Sequence, residues 1–194
     1  MRKIVAFDFD GTLTNRDSLL EFIRYVHGTS RLWWGFLLHA PILILMMLRR
    51  YSHSRAKERV FAYFFKGMPL TDFDAWCQRF AHDRRTILRP QGIAAVDEAQ
   101  RNGKAVVIIS ASIDNWVQPF FANVRVLGTQ IEVKDGKLTG RFLTGNCFGQ
   151  EKVNRLLAEY PDRADYHLTA YGDSQGDREL LAFADEAHYK PFRL

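Results

Sequence analysis

The sequence predicts an α/β fold: a buried parallel sheet with a long helical insertion after its first strand and a small β-hairpin late in the chain. Three observations carry this prediction. Apolar runs at residues 4–7, 105–109 and 166–171 are cut off by Asp8, Ser110 and Gly172-Asp173. Short apolar runs bounded by turn signals read as strands buried on both faces. Helical patterns lie between these runs, and the stretch between the first two is far too long for one crossover helix.

Taken in order, residues 4–7 form the first strand and end at Asp8. Residues 17–89 are helical throughout and read as a second domain, leaving 1–16 and 90–194 as the core. Asp17 suits a helix N-cap, or a contact to substrate from the insertion. Thr71 with Asp74 predicts a capping box opening a helix that carries Phe73, Trp76, Cys77 and Phe80. Pro90 and Gly103 bracket a helix over 92–102, and the second strand follows at 105–109. Residues 126–133 and 138–142 predict a hairpin about Asp135-Gly136. A helix begins near Gln150 and ends before Pro161, the third strand follows, and residues 177–184 close with a helix bearing Leu180, Leu181 and Ala184.

With 194 residues, 47% apolar and 25% charged, fifteen Phe and four Trp, the composition is globular and excludes a disordered chain. Two cysteines, Cys77 and Cys147, exclude a disulfide framework and a four-thiolate zinc site, and are expected to be reduced thiols. The apolar run after Met1-Arg2-Lys3 stops at Asp8, too early for a signal peptide. A cytoplasmic protein is expected, or one peripheral at the inner face of a membrane. The net charge is +5, unevenly spread: residues 24–90 carry 12 Lys/Arg against 4 Asp/Glu, and the rest has a small acidic excess.

Residues 32–48 (LWWGFLLHAPILILMML) are apolar over 17 positions, with Arg31 before and Arg49-Arg50 after. As one helix they would extend ~25 Å, against a bilayer core of ~30 Å. A single crossing would separate Asp8 and Asp10 from every later motif. Three readings remain: a buried helix pair bent at Pro41, an interfacial segment with Trp33 and Trp34 at a lipid surface, or a wall of an apolar pocket. Basic residues over 31–59 fit peripheral contact with anionic headgroups. They also suit nucleic acid electrostatically, but no nucleic-acid motif accompanies them and none is expected as a partner.

The chemistry sits at strand ends. Asp8 and Asp10 follow the first strand, Ser110 the second, and Asp173 and Asp177 the third, while Lys152 opens a helix. In an open parallel sheet ligands bind beyond the carboxyl ends of the strands, where residues distant in sequence converge. Gathered carboxylates repel one another, and a hard divalent cation offsets that. An all-oxygen donor set with no His or Cys suits Mg2+ and not zinc. Lys152 and Ser110 add a charge and a donor suited to a phosphoryl group. One carboxylate can attack phosphorus, and a second can shuttle the proton.

Asp8-Phe9-Asp10-Gly11-Thr12, Ser110, Lys152 and Gly172-Asp173 through Asp177 resemble the four motifs of the haloacid dehalogenase (HAD) superfamily. The helical insertion resembles the cap of its phosphoserine-phosphatase-like branch. The resemblance covers about two thirds of the chain and implies a Rossmann-like parallel sheet core of the HAD fold. It also implies a Mg2+-dependent phosphatase acting on a small phosphorylated substrate. Under it, Asp8 would be nucleophile and metal ligand. Asp10 would be general acid/base, with its backbone carbonyl on the metal. Ser110 and Lys152 would hold the phosphoryl group, and Asp173 would ligate the metal with Asp177 beside it. Asp10 speaks against dehalogenation. Ser110-Ala111-Ser112 stands where phosphoserine phosphatases carry Ser-Gly-Gly, and Gly172-Asp173-Ser174-Gln175-Gly176-Asp177 where they carry Gly-Asp-Gly-x-Asn-Asp. The apolar cap is similar to a phosphatidylglycerophosphatase branch, which makes a lipid phosphate the alternative substrate. The non-enzyme alternative is a membrane- or partner-binding module on a retired hydrolase core.

Overall fold

The computed structural model describes residues 1–48 and 50–193. Arg49, one of the basic residues flanking the apolar stretch, lies outside them. Strand β1 (Arg2–Phe7) leads through a tight turn into four helices, α1 (Ser18–His27), α2 (Thr29–Met47), α3 (His53–Phe65) and α4 (Leu70–Asp83). Then follow α5 (Pro90–Arg101), β2 (Ala105–Ile113), α6 (Asp114–Val117) and β3 (Arg125–Thr129). The hairpin β4 (Ile131–Lys134) and β5 (Lys137–Phe142) comes next, then α7 (Gln150–Glu159), β6 (Tyr166–Gly172), α8 (Arg178–Phe183) and β7 (Glu186–Tyr189). The sheet order is β3-β2-β1-β6-β7, and every pairing in it is parallel.

Strand side chains alternate, so a strand covered on both sides must be apolar at every position. Accordingly Val5, Phe7, Val106, Ile108 and Val126 face one core, with Phe22, Phe61, Phe65, Phe73, Phe80 and Trp116. Ile4, Ala6, Val107, Ile109 and Leu127 face the other, with Val153 and Leu156 of α7 and Leu180 of α8. The first of these cores is continuous with the interior of residues 17–89.

Several sequence expectations change. The segment 126–133 is not one hairpin strand. It divides at Gln130 into β3, which joins the main sheet, and β4, which pairs with β5. The turn itself is as expected, since Asp135 (φ 51°) and Gly136 (φ 72°) supply the two left-handed residues of a two-residue hairpin. Ser110 does not close β2, which runs on to Ile113. The register against β3 shifts between Ile109 and Ile113, loosening the strand where the site opens. The capping box at Thr71 does not form, because α4 begins at Leu70 with Pro69 as its N-cap, which puts Thr71 inside the first turn. Asp74 instead accepts from Asn115 Nδ2 at 2.8 Å.

The largest departure is α2. It is one helix through Pro41, not a bent pair, and Gly35 is its only buried residue. The Pro41 ring removes an N–H that would bond to the Leu37 carbonyl. Leu37 is exposed, so water can satisfy that oxygen without a kink. Trp33, Trp34, Leu37, Leu38, Met47 and Leu48 are each more than half exposed. The buried reading is therefore overturned. By length and composition alone this helix could cross a membrane.

Candidate active site

The sheet delivers its side chains to one place. Asp8 follows β1, with its N–H donating to the Tyr171 carbonyl of β6 at 2.9 Å. The chain then turns tightly over Phe9–Leu13, where Gly11 takes φ 83°. That turn brings the Asp10 carboxylate back toward β2. Its Oδ1 accepts the Ser18 N–H at 2.7 Å and its Oδ2 accepts the Ser112 hydroxyl at 2.5 Å. Lys152, in the first turn of α7, is buried and donates to Asp8 Oδ1 and Asp177 Oδ1, each at 2.5 Å. Asp177 is held from behind, as its Oδ2 accepts the Asp173 and Ser174 N–H groups and the Ser174 hydroxyl. The Ser174–Asp177 capping box fixes this last turn.

Asp8, Asp10, Asp17, Ser110 and Lys152 line one cavity of about 390 Å3. Asp8, Asp173 and Asp177 place carboxylate oxygens within 4.8 Å of one another. Asp173 accepts from Thr12 Oγ1 at 3.4 Å and from the guanidinium of Arg193. Ser110 Oγ accepts the Ser112 N–H at 3.0 Å. Asp17 caps α1 by accepting the Leu20 N–H at 3.1 Å, as the N-cap reading expects, and it also lines the cavity.

The electrostatics are those of crowded acids. Burial, resisted by Lys152 and reinforced by Asp177 and Asp10, pushes the Asp8 carboxyl up to about 7. Burial, then repulsion from Asp17, pushes Asp10 up to about 6 against its serine hydrogen bonds. Burial works against ionisation of Asp177 too, but Lys152 outweighs it and holds that carboxyl below its usual range. Burial works against the Lys152 ammonium, yet its two carboxylates raise it above the ordinary lysine value. The residues fit a divalent cation. Asp8 Oδ2 is buried with no hydrogen-bond partner among the described residues, and two further carboxylates stand beside it in an all-oxygen set.

Two cavity features, Ser112 and Lys57, escaped the sequence. Ser112 carries no signal beyond its place two residues after Ser110. Lys57 reads as part of a charge run, yet it lines the cavity and donates to the Ala111 carbonyl at 2.5 Å. Phe36, Leu43 and Met46 of α2 form an apolar wall, which the third reading of that segment anticipated.

The family model of the haloacid dehalogenase-like hydrolases matches residues 5–182. The chain belongs to this family. As a HAD-like hydrolase it is similar to Protein CicA of Caulobacter vibrioides, at 36% identity over 98% of this chain and 86% of that protein. The same HAD fold occurs in a Bordetella pertussis Tohama I protein, with TM-score 0.83, 22% identity, and 96% of this chain and 89% of the other covered. It also occurs in a substrate-bound phosphoserine phosphatase, with TM-score 0.66, 18% identity, and coverage of 97% and 86%.

Proposed function

We propose that this HAD-like hydrolase is a Mg2+-dependent phosphomonoesterase working through an aspartyl-phosphate on Asp8, with residues 17–89 serving as its cap. The observation that carries the reading is Asp8 itself. One of its oxygens is held by Lys152 and the other is buried without a partner among the described residues, and Asp8 lines a cavity with Asp10 and Ser110. Asp8, the Asp10 backbone carbonyl and Asp173 would hold Mg2+, with Asp177 in or beside that set. The cation supplies charge neutralisation for a phosphoryl group set among carboxylates.

Asp8 attacks phosphorus, forming a carboxylate O–P bond while the ester P–O bond breaks. The departing alkoxide takes the Asp10 proton, and a carboxyl with a value about 6 is suited to that transfer near neutral pH. The Asp10 carboxylate then accepts a proton from the water that cleaves the acyl phosphate. Its bonds to Ser18 and Ser112 keep it aimed at the cavity during both steps. Lys152 and the Ser110 hydroxyl grip the phosphoryl oxygens. Asp8→Asn is expected to lower turnover of p-nitrophenyl phosphate with Mg2+ by about a thousandfold or more, the scale seen when a nucleophile is lost. Near-wild-type turnover would falsify the mechanism.

One observation favours a second reading, hydrolysis of a lipid phosphate at a membrane surface. The same helix that walls the cavity through Phe36, Leu43 and Met46 exposes Trp33, Trp34, Leu37 and Leu38 outside it. Exposed Arg31 and Arg50 flank that face, as anionic headgroups require. Co-sedimentation with phosphatidylglycerol vesicles tests it. Binding at low salt that is lost on charge reversal, Arg31→Glu with Arg50→Glu, supports it; no binding removes it. The protein would then be peripheral at the inner face of a membrane, and otherwise a cytoplasmic enzyme of small phosphate esters.

A further inference from the structure

Three carboxylates form the candidate metal cluster, and Lys152 serves two of them, Asp8 and Asp177. The third, Asp173, is buried as well. Its Oδ1 accepts the Thr12 hydroxyl at 3.4 Å, a long hydrogen bond. Its Oδ2 pairs with the guanidinium of Arg193, from the segment after β7. That segment is a strap pinned along its length. Lys190 takes φ 54°, and its N–H donates to the Gly172 carbonyl at 2.8 Å, one residue before Asp173. The Phe192 ring stacks on Tyr171 of β6, with centroids 5.5 Å apart and planes 11° apart. Its carbonyl accepts from Arg89 Nη1 at 3.3 Å, while Arg89 Nε donates to the Thr14 carbonyl at 3.0 Å. The strap is thus tied both to β6 and to the chain that follows the Asp8 turn. Like charges gathered so closely push one another apart. Lys152 offsets this for Asp8 and Asp177. Without Arg193, repulsion would turn Asp173 outward, against one long bond from Thr12.

We propose that Arg193 is a positioning residue of the metal site: its guanidinium holds Asp173 in the cluster, so that a divalent cation meets three carboxylates already gathered. This rests on the Mg2+ site of the phosphatase reading and adds to it a component from outside the four motifs. Arg193 acts through Asp173, not on the substrate. Groups that orient a ligating side chain set much of the affinity for the metal. Because the strap packs on Tyr171 and is held by Arg89, the seating of residues 190–193 and the affinity for the cation are coupled.

The test is equilibrium binding of the metal alone, which needs no turnover. Calorimetric titration with MgCl2 compares the wild type with Arg193→Gln, Arg193→Lys and Phe192→Ala, and melting in EDTA checks that each is folded. Arg193→Gln is expected to raise the Mg2+ Kd about tenfold or more, the scale found when a partner of a metal ligand is removed. Arg193→Lys keeps the charge without the planar fork and should recover part of that loss. Phe192→Ala leaves Arg193 in place but frees its strap, so its Kd should rise too, by less. A merely structural role for Arg193 would lower the melting temperature in EDTA and leave the Kd alone. An unchanged Kd in Arg193→Gln therefore overturns the proposal. So does a lower one, which would mean that Arg193 competes with the cation for Asp173, and so does a failure of Arg193→Lys to improve on Arg193→Gln. A wild type that binds no Mg2+ overturns both the proposal and the metal site it rests on. If Mg2+ binds and Arg193→Gln weakens it, but the wild type does not hydrolyse p-nitrophenyl phosphate, the phosphatase reading fails and the role of Arg193 stands.

Discussion

At the scale of single residues, the site depends on contacts too close for substitution. Gly11 holds φ 83°, and a Cβ there would lie 2.5 Å from Asp173 Oδ2. Gly11→Ala therefore strains the backbone by about 1–3 kcal/mol and displaces a proposed metal ligand. Magnesium titration followed by thermal shift should show weaker Mg2+ binding in this variant than in wild type. Unchanged binding would remove Asp173 from the ligand set. His27 supports a second prediction. It packs on Phe64 and Phe65, with Nε2 lacking a partner among the described residues. Burial first, then Arg31, lowers its pKa below the ordinary 6.5, against a bond to the Phe64 carbonyl. As pH falls through 6.5, the unfolded chain takes a proton that the folded one refuses, so stability drops. Asp8 and Asp10, raised in the folded protein, act in the opposite sense over the same range, so the readout is the difference: between pH 8 and pH 5.5 the urea midpoint of His27→Phe should gain on that of the wild type. Equal slopes would mean that His27 does not titrate differently on folding. Residue chemistry was partly legible in the sequence. Strand-end carboxylates announce themselves by position, and their convergence follows from parallel topology. Lys57 and Ser112 did not, because on an unaligned helix or strand a cavity-facing polar residue looks like a solvated one.

At the scale of elements, β1, β2 and β6 were readable because burial on both faces demands unbroken apolar runs. β3 and β7 were harder. β3 is continuous in sequence with β4, and β7 (Glu186–Tyr189) is an edge strand with little burial. α2 misled in the opposite sense, since apolar composition argues for burial and the helix is exposed. It is attached chiefly through α1 and α3, with Gly35 so close to the Phe64 ring that a Cβ there would overlap it. With few buried contacts, its backbone hydrogen bonds open more easily than those of α1 or α4. Hydrogen exchange should show α2 protected less than α1 and α4, and it should gain protection with phosphatidylglycerol vesicles only if the lipid reading holds. Gly35→Val places a branched side chain against Phe64, so α2 must lift away. Its exchange should then rise further, because the overpacked contact costs about 1–3 kcal/mol. Exchange in α2 as slow as in α4 would show that the helix is anchored by more than these contacts.

At the scale of the whole molecule, one aromatic core joins the insertion to the sheet. Phe22 of α1 stacks on Trp116 of α6 at 5.1 Å and meets Phe65, Phe73 and Phe80 edge-on or stacked. Phe80 in turn meets Phe120, and Phe120 meets Phe9 of the Asp8 turn. The Trp116 indole donates to Ser18 Oγ at 3.1 Å, and Ser18 Oγ lies 2.9 Å from Ser112 Oγ, the hydroxyl that holds Asp10. The helices α1 and α4 are thus fixed to the sheet by the same interior that positions the acid/base, leaving α2 with the fewest buried contacts of the four helices in 17–89. Two consequences follow. Urea unfolding monitored by tryptophan fluorescence and by far-ultraviolet circular dichroism should superimpose as one transition, because no boundary of weak packing divides insertion from core. Replacing residues 17–89 by a short Gly/Ser linker should leave no cooperative fold, since it strips Trp116 of Phe22 and Phe73, and Phe120 of Phe80, and losing even one buried aromatic side chain costs about 3–5 kcal/mol. A linker variant that still melts sharply would show that the sheet is self-sufficient. Site geometry would then owe nothing to the insertion, and changes within 17–89 could alter substrate choice without reaching Asp10.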